Sequence, residues 1–212
     1  MLAPRAGLPH HRGMTRQPMS KGRLEAFSDG VIAIIITIMV LELKVPHGAD
    51  AASLLAVWPV FLSYLLSFLV VAIYWVNHHT LFNAAHHAST GLLWSNNALL
   101  FCLSLIPFAT GYMGENDFAP FPTALYAATL LLAGLAFIPV RWSVMAQLKD
   151  DAHFVHLSRV ARRKNYVSLG LYAISIPLAF VHPALTLALA FAVAAIYFLP
   201  NAWLGEKQAH PP

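Results

Sequence analysis

Three polar side chains mark the ends of the first long apolar segment of this 212-residue chain. Ser28 and Asp29 stand at its start and Glu42 at its end, while the twelve residues from Gly30 to Leu41 carry no charge. As a helix they rise about 18 Å, well short of the roughly 30 Å hydrocarbon core of a bilayer. A charge within that core costs about 2.5–3.5 kcal/mol on insertion scales. We therefore expect this helix to lie inside a bundle or beside an aqueous path that ions or water could follow.

One face of the same helix carries an apolar stripe. Its members recur at helical spacing and are Ile34, Thr37, Ile38 and Leu41. Packing against a neighbouring helix is one explanation, and it stays open. The polar groups at the helix ends favour another, in which the stripe forms an apolar gate or filter in an aqueous path. A closed symmetric oligomer would bring this helix from every subunit to one axis and make each side chain a ring.

Two histidine pairs, His78–His79 and His86–His87, follow the second apolar segment and suggest a metal site. Adjacent histidines on a helix point about 100° apart, and neither Cys nor an acid is close in sequence. We therefore expect one or two of them to form hydrogen bonds in the bundle, the others to be solvated, and neither metal nor cofactor to be held. A role in sensing pH is an alternative that the sequence leaves open.

The composition excludes several classes of protein. Hydrophobic residues make up 58% of the chain and charged residues 10%, where about 25% is usual in soluble domains. These values predict an all-helical membrane protein with several spans. A Gly-rich phosphate loop, a nucleophile elbow and a paired acid–base set are all missing from the sequence, so we expect no enzyme. The bases lie beside apolar spans, which argues against nucleic acid as a partner and for the lipid bilayer.

Hydropathy predicts six transmembrane helices within a membrane domain at 21–205. Their approximate bounds are 27–43, 54–76, 91–112, 122–140, 166–181 and 184–203. Residues 1–20 are predicted to be a disordered cytoplasmic arm, and residues 206–212 a cytoplasmic tail.

The positive charges predict the orientation. Five Lys and Arg residues precede the first span, six lie between the fourth and fifth, and one follows the sixth, which together are 12 of the 13. With six spans all twelve fall on one side, so both termini are expected in the cytoplasm.

The string RLEAFSDGVIAIIIT, Arg23 to Thr37, resembles the R-x-x-x-F-S-D signature that opens the first helix of the transmembrane protein 175 potassium channels in their prokaryotic form. WVNHHTLF, Trp75 to Phe82, and LLWSNNALLFCLSLIPF, Leu92 to Phe108, are similar to the family's second and third helices. The resemblance covers roughly residues 21–110, and the later spans agree in hydropathy and number.

This resemblance implies a potassium-selective homotetramer with six spans per subunit, a first helix that lines the central pore, and no T-V-G-Y-G filter. It places the constriction at Ile34 and a hydroxyl that meets the cation at Thr37, with further apolar pore positions at Ile38 and Leu41. Glu42 either attracts cations at the outer mouth or is paired.

The signature residues are expected to form a network that holds the pore helix. The network contains Arg23, Phe27, Ser28, Asp29, His78, His79 and Asn96, with Arg23, the two histidines and Asn96 as candidate partners of Asp29. The alternative for Asp29 is an inner mouth that attracts ions.

The sequence thus predicts a channel in a prokaryotic inner membrane that conducts K⁺ passively. A secondary transporter of protons or cations is the first alternative, and it would be expected to show broken helices in repeated halves and charges at the midplane. A membrane protein that uses the paired histidines for metal or haem is the second.

Overall fold

The structure, a computed structural model, describes residues 20–148 and 152–198, and these residues are helical apart from short connections. The eight α-helices are α1 (Lys21–Met39), α2 (Ala51–Ala56), α3 (Trp58–Ala84), α4 (Thr90–Ser104), α5 (Ile106–Glu115), α6 (Pro120–Met145), α7 (Ala152–Val181) and α8 (Pro183–Phe198). A single 3₁₀ turn, Val40–Glu42, prolongs α1. The predicted tail at 206–212, and the predicted arm apart from residue 20, lie outside the described residues.

Five stretches of the described chain are long and apolar enough to cross a membrane. They are Lys21–Glu42, Trp58–Ala84, Thr90–Glu115, Pro120–Met145 and Arg159–Val181. The remaining apolar helix, α8, is described over 16 residues, and the end of the predicted sixth span, 199–203, lies outside the described residues. The prediction of an all-helical membrane protein is therefore confirmed.

The helices extend beyond the apolar segments from which the spans were predicted. Helix α1 begins at Lys21 because Ser20 caps it, its Oγ accepting a hydrogen bond from the backbone N–H of Arg23 at 3.4 Å. Helix α3 continues through polar residues to Ala84, and α7 begins at Ala152, fourteen residues before the predicted start at 166. Hydropathy identifies the part of a helix that lies in the hydrocarbon core. The helix itself continues further wherever its polar side chains contact water or hydrogen-bonding partners.

Two prolines divide predicted spans. Pro107 has no N–H to donate to the carbonyl of Leu103, and the third span accordingly divides into α4 and α5 at Leu105. Pro59 stands in the first turn of α3, where that N–H is not needed, and α2 ends just before it.

Helix α1 packs on α3, α4 and α5, whereas α6 lies between α4 and α7. A single residue, His182, joins α7 to α8, and the Oγ1 of Thr186 donates a 2.8 Å hydrogen bond to the backbone oxygen of Ser175 across the resulting hairpin. Helices α3 and α5 approach closely at Gly114, where an added Cβ would lie 2.9 Å from the Cα of Val60. Small residues permit this close approach of backbones in membrane bundles.

Candidate functional site

The outer face of α1 is uncovered along its whole length in the single chain. Ile34 is 57% exposed and Leu41 is 75% exposed, and both Thr37 and Ile38 are exposed between them. Gly30 lies one turn before Ile34 on the same face and has open space around it. The four predicted pore positions thus share one continuous surface that no other part of the described chain covers.

The opposite face of α1 is packed into the bundle. Its buried residues are Leu24, Ser28, Ile32, Ile35 and Met39. They recur every three or four residues, which is the spacing of one helix face. The helix is therefore held firmly on one side by α3, α4 and α5 and is free on the other.

The hydroxyl of Thr37 is turned back on its own helix. Its Oγ1 lies 3.0 Å from the backbone oxygen of Ile34 and 3.1 Å from that of Ala33, and it donates its proton to these carbonyl oxygens. A hydroxyl has one proton and two lone pairs. With the proton committed to the helix, the lone pairs of Thr37 remain available on the exposed face, where they could meet a cation.

A buried chain of hydrogen bonds fixes α1 to two neighbouring helices. Ser28 donates to the backbone oxygen of Leu24 at 2.9 Å, so its oxygen is left to accept from the Nδ2 of Asn96, also at 2.9 Å. The Oδ1 of Asn96 then accepts from the Nε2 of His78 at 2.8 Å. Ser28, Asn96 and His78 are all fully buried, and the ring of His78 stacks on Phe82 with centroids 4.0 Å apart. Three of the predicted network residues thus meet directly.

Asp29 differs from expectation in its partner. Its Oδ1 accepts a 3.1 Å hydrogen bond from the indole Nε1 of Trp75, a residue that the candidate network did not include. Arg23 is exposed and forms no ion pair within the described part of the chain, and Phe27 is 56% exposed. Both lie on the same uncovered face of α1 as Ile34, away from the face that buries Ser28.

Glu25, Asp29 and His79 form a second polar group beside this chain. One ligand atom from each lies within 4.8 Å of the others, and the Nδ1 of His79 is 3.3 Å from the Oε1 of Glu25. Two carboxylates and an imidazole are a donor set that could hold a divalent cation. No acid lies near these histidines in sequence, but the packing of α1 against α3 brings Glu25 and Asp29 to His79.

Charged groups also meet at the other end of α1. The carboxylate of Glu42 lies against α5, where an added Cβ on Gly111 would be 2.7 Å from its Oε2. Lys44 forms an ion pair with Glu115 at the end of α5, and the hydrogen bond and charge of Glu115 raise the pKa of Lys44 above its ordinary value. These contacts tie the connection that follows α1 to the end of α5.

The sequence contains a signal for the two residues that were missed. Glu25 precedes Asp29 by four positions on α1, and Trp75 precedes His79 by four on α3, a spacing that places each pair on one helix face. Trp75 and His79 stack with ring centroids 5.7 Å apart. A polar or aromatic residue one turn before a signature residue is therefore a candidate for the same network.

Comparisons with known proteins show what this chain is similar to. Residues 23–107 match the family described as endosomal/lysosomal potassium channel TMEM175. A protein named as a potassium channel from Chryseobacterium sp. (strain P1-3) is 42% identical over 189 residues, which cover 86% of this chain and 95% of the relative. Another so named, from Streptomyces collinus, is 34% identical over 84% of this chain and 90% of its own length.

The solved structures point the same way. The crystal structure of a lysosomal potassium-selective channel TMEM175 homolog from Chamaesiphon minutus superposes with a TM-score of 0.72 at 30% identity, covering 84% of this chain and 96% of that one. The signature, the relatives and the fold agree, and this chain belongs to the TMEM175 family of ion channels.

Proposed function

We propose that this protein is a potassium channel in which α1 from each of four identical subunits lines a central pore. The observation that supports this most directly is the uncovered face of α1. Between Phe27 and Leu41 it is apolar apart from the hydroxyl of Thr37, and it lies opposite a face that is packed into the bundle. A fourfold axis would cover this face and give every side chain on it three symmetry mates.

The rings would work by partial dehydration. Ile34 forms the narrowest apolar ring, and Ile38 and Leu41 extend it, so an ion that passes them sheds part of its water. Shedding water costs K⁺ less than Na⁺, because the larger ion holds its hydration shell less tightly. The ring of Thr37 oxygens lies within this stretch and replaces part of the lost water. The sequence contains no T-V-G-Y-G segment that could supply a filter of backbone carbonyls.

The buried chain from Ser28 through Asn96 to His78 would set the position of the pore helix. It joins α1 to α3 and α4 at the end where the signature lies. The bond from Trp75 to Asp29 adds a second connection between α1 and α3. Because the radius of an apolar ring decides whether water fills it, a fixed position of α1 matters for conduction.

The orientation proposed is that of a multi-pass protein in a prokaryotic inner membrane with six spans, α8 being the sixth, and both termini in the cytoplasm. The distribution of Lys and Arg supports this arrangement, since 12 of the 13 would lie on the cytoplasmic side, with Arg141 and Lys164 buried among the helices there. The signature end of α1 would then be the cytoplasmic end of the pore.

The deciding experiment is a measurement of reversal potential with the purified protein in planar bilayers or liposomes. With equal concentrations of K⁺ on one side and Na⁺ on the other, the reversal potential should lie far from zero, with the sign of a higher permeability to K⁺ than to Na⁺. Reversal near zero would reject potassium selectivity, and a current that needs a coupled proton gradient would favour the secondary transporter. Particle images should show fourfold symmetry with α1 at the axis, and α1 against lipid would reject the pore.

A further inference from the structure

A buried arginine lies on the side of the bundle away from α1. Arg141, near the end of α6, is 8% exposed, and its Nη1 is shielded from solvent without a hydrogen-bond partner. Its Cζ lies 5.4 Å from the centre of the Phe137 ring. Within the described residues, neither Asp nor Glu forms an ion pair with it.

This arrangement is costly for the empty protein. Arginine keeps its charge under all ordinary conditions, and an uncompensated buried charge costs several kcal/mol. A bound anion would remove most of that cost, because a guanidinium presents its N–H groups as a fork that fits two oxygens of one phosphate.

Arg141 lines a cavity of about 540 Å³ that opens between α3, α6 and α7. That volume is typical of sites for small molecules. Lys164, which is 7% exposed, also lines it, with its Nζ 5.9 Å from the centre of the Tyr197 ring. Asn77 adds an amide, and none of the described lining residues is acidic. The remaining lining is largely apolar, so the cavity combines two buried basic side chains with an apolar wall.

A second, narrower cleft continues from the first and shares Arg141, Asn77 and Tyr197 with it. The cleft adds Asn165 and Ser168, both buried in the same region of α7 as Lys164. Polar side chains from α3 and α7 therefore line the same cleft as the guanidinium on α6.

We propose that this cavity binds the phosphate group of an anion, with Arg141 as the bidentate donor and Lys164 as the second cation. Two sources supply this chemistry, namely the phosphodiester of an anionic phospholipid and free inorganic phosphate. The basic cavity between membrane helices and its apolar wall suit a lipid headgroup with the beginning of its acyl chains. The site is separate from the α1 face, so ion conduction need not be measured to test it.

The test is thermal unfolding of the delipidated, purified protein in neutral detergent. Three additives are compared, namely dioleoylphosphatidylglycerol, dioleoylglycerol (the same acyl chains without phosphate) and inorganic phosphate. The phospholipid should raise the melting temperature and dioleoylglycerol should not. A rise with inorganic phosphate as well would show that the phosphate group alone suffices, whereas no rise with either phosphate source would overturn the proposal.

Substitutions then test whether Arg141 forms the binding site. Arg141→Met should weaken the apparent affinity for the phospholipid about tenfold or more, the loss expected for a charge-assisted hydrogen-bonded pair. Arg163→Met, which removes an exposed charge from α7, should leave it unchanged. Without additive, Arg141→Met should melt no lower than wild type, because the empty site gains nothing from the charge. Equal affinity in Arg141→Met and wild type would overturn the assignment.

If Arg141→Met gives no folded protein, Arg141→Lys decides the matter. Lysine keeps the charge and loses the fork. A several-fold weaker response to the phospholipid supports bidentate binding by Arg141, and an unchanged response overturns it.

Discussion

The imidazole Nε2 of His78 lies 2.8 Å from the side-chain oxygen of Asn96, and both side chains are sealed from solvent. Asn96 extends this hydrogen-bonded chain to α1, because its amide nitrogen donates to Ser28 at 2.9 Å. One amide thus satisfies a donor on α3 and an acceptor on α1. Its removal would leave the Nε2 of His78 without a partner and the oxygen of Ser28 without a donor, and an unsatisfied buried polar group costs about 1–3 kcal/mol.

Asn96→Leu should therefore destabilise the protein markedly. We expect a loss of about 2 kcal/mol or more, which corresponds to a fall of about 4–8 °C in melting temperature for a chain of this size. Thermal unfolding of the purified protein measures it. Asn83→Leu is the matched control, since Asn83 makes a 2.9 Å bond to His79 at an exposed position. Equal falls in the two variants would contradict a special role for the buried amide.

Asp29→Asn and Trp75→Phe should both weaken assembly of the tetramer. Asparagine loses the charge that strengthens the 3.1 Å bond, and phenylalanine keeps a ring but loses the indole donor. Size-exclusion chromatography with light scattering measures the tetramer fraction. If Asp29 instead attracts ions at the inner mouth, Asp29→Asn would lower conductance in an intact tetramer and Trp75→Phe would leave it unchanged.

Ile34→Asn should raise conductance and lower selectivity. Polar rings hold water where apolar rings expel it, so the barrier to ion passage falls. We expect about a tenfold higher flux, which corresponds to about 1.4 kcal/mol. Potassium flux into liposomes measures it.

Ile34→Ala widens the same ring without polar atoms and should also change flux. Ile174→Ala is its matched control, because Ile174 on α7 is 56% exposed against 57% for Ile34. Unchanged flux and selectivity in both Ile34 variants would remove this residue from the constriction.

Thr37→Val should reduce the preference for K⁺ over Na⁺ and leave folding intact. Valine has nearly the shape of threonine but lacks the oxygen that faces the uncovered side of α1. The reversal potential under a K⁺/Na⁺ gradient should move toward zero. Thr37→Ser retains the hydroxyl and should retain the preference, so a serine variant that behaves like valine would argue against coordination by the oxygen.

Gly114→Ala should separate α3 from α5. The added methyl would lie 2.9 Å from both the Cα of Val60 and the Oγ of Ser63, and the backbone cannot move aside cheaply. We expect a loss of about 1–3 kcal/mol, seen as a lower melting temperature. Gly170→Ala, in a helix with open space around the site, should gain about 0.5–1 kcal/mol instead. A neutral Gly114→Ala would contradict the close contact of the two helices.

The helical membrane architecture was predictable from the sequence because hydrocarbon imposes a length and a composition on any helix that crosses it. The family was predictable because F-S-D and N-H-H are short, unusual strings in an apolar context. Both predictions are confirmed, as is that of a potassium channel rather than an enzyme. The tetramer, the pore residues and the orientation remain predictions.

The ends of the helices were less predictable, since polar extensions depend on partners. The helix that contains His78 and Asn83 continues past the predicted end at 76, because the first side chain is buried against Asn96 and the second reaches His79. Neither contact is visible in hydropathy. The break at Leu105 was visible only as a proline whose effect could be a kink or an interruption.

Contacts between distant segments were the least predictable. Glu25 is 54 positions from His79 and Asp29 is 46 from Trp75, and only the side-by-side packing of α1 and α3 brings them together. Arg141 is one of the six Lys and Arg residues between the fourth and fifth predicted spans, whose sequence pattern indicates only the membrane orientation. Arg141 is buried because α6 packs against α7, and the local sequence does not predict that contact.

The one-residue link between α7 and α8 has a consequence for biogenesis. His182 alone connects them, and the two helices pack against each other as a hairpin. The hydroxyl of Thr186 reaches its partner, the backbone oxygen of Ser175, only once the hairpin has formed, so we expect the two helices to enter the lipid as a pair.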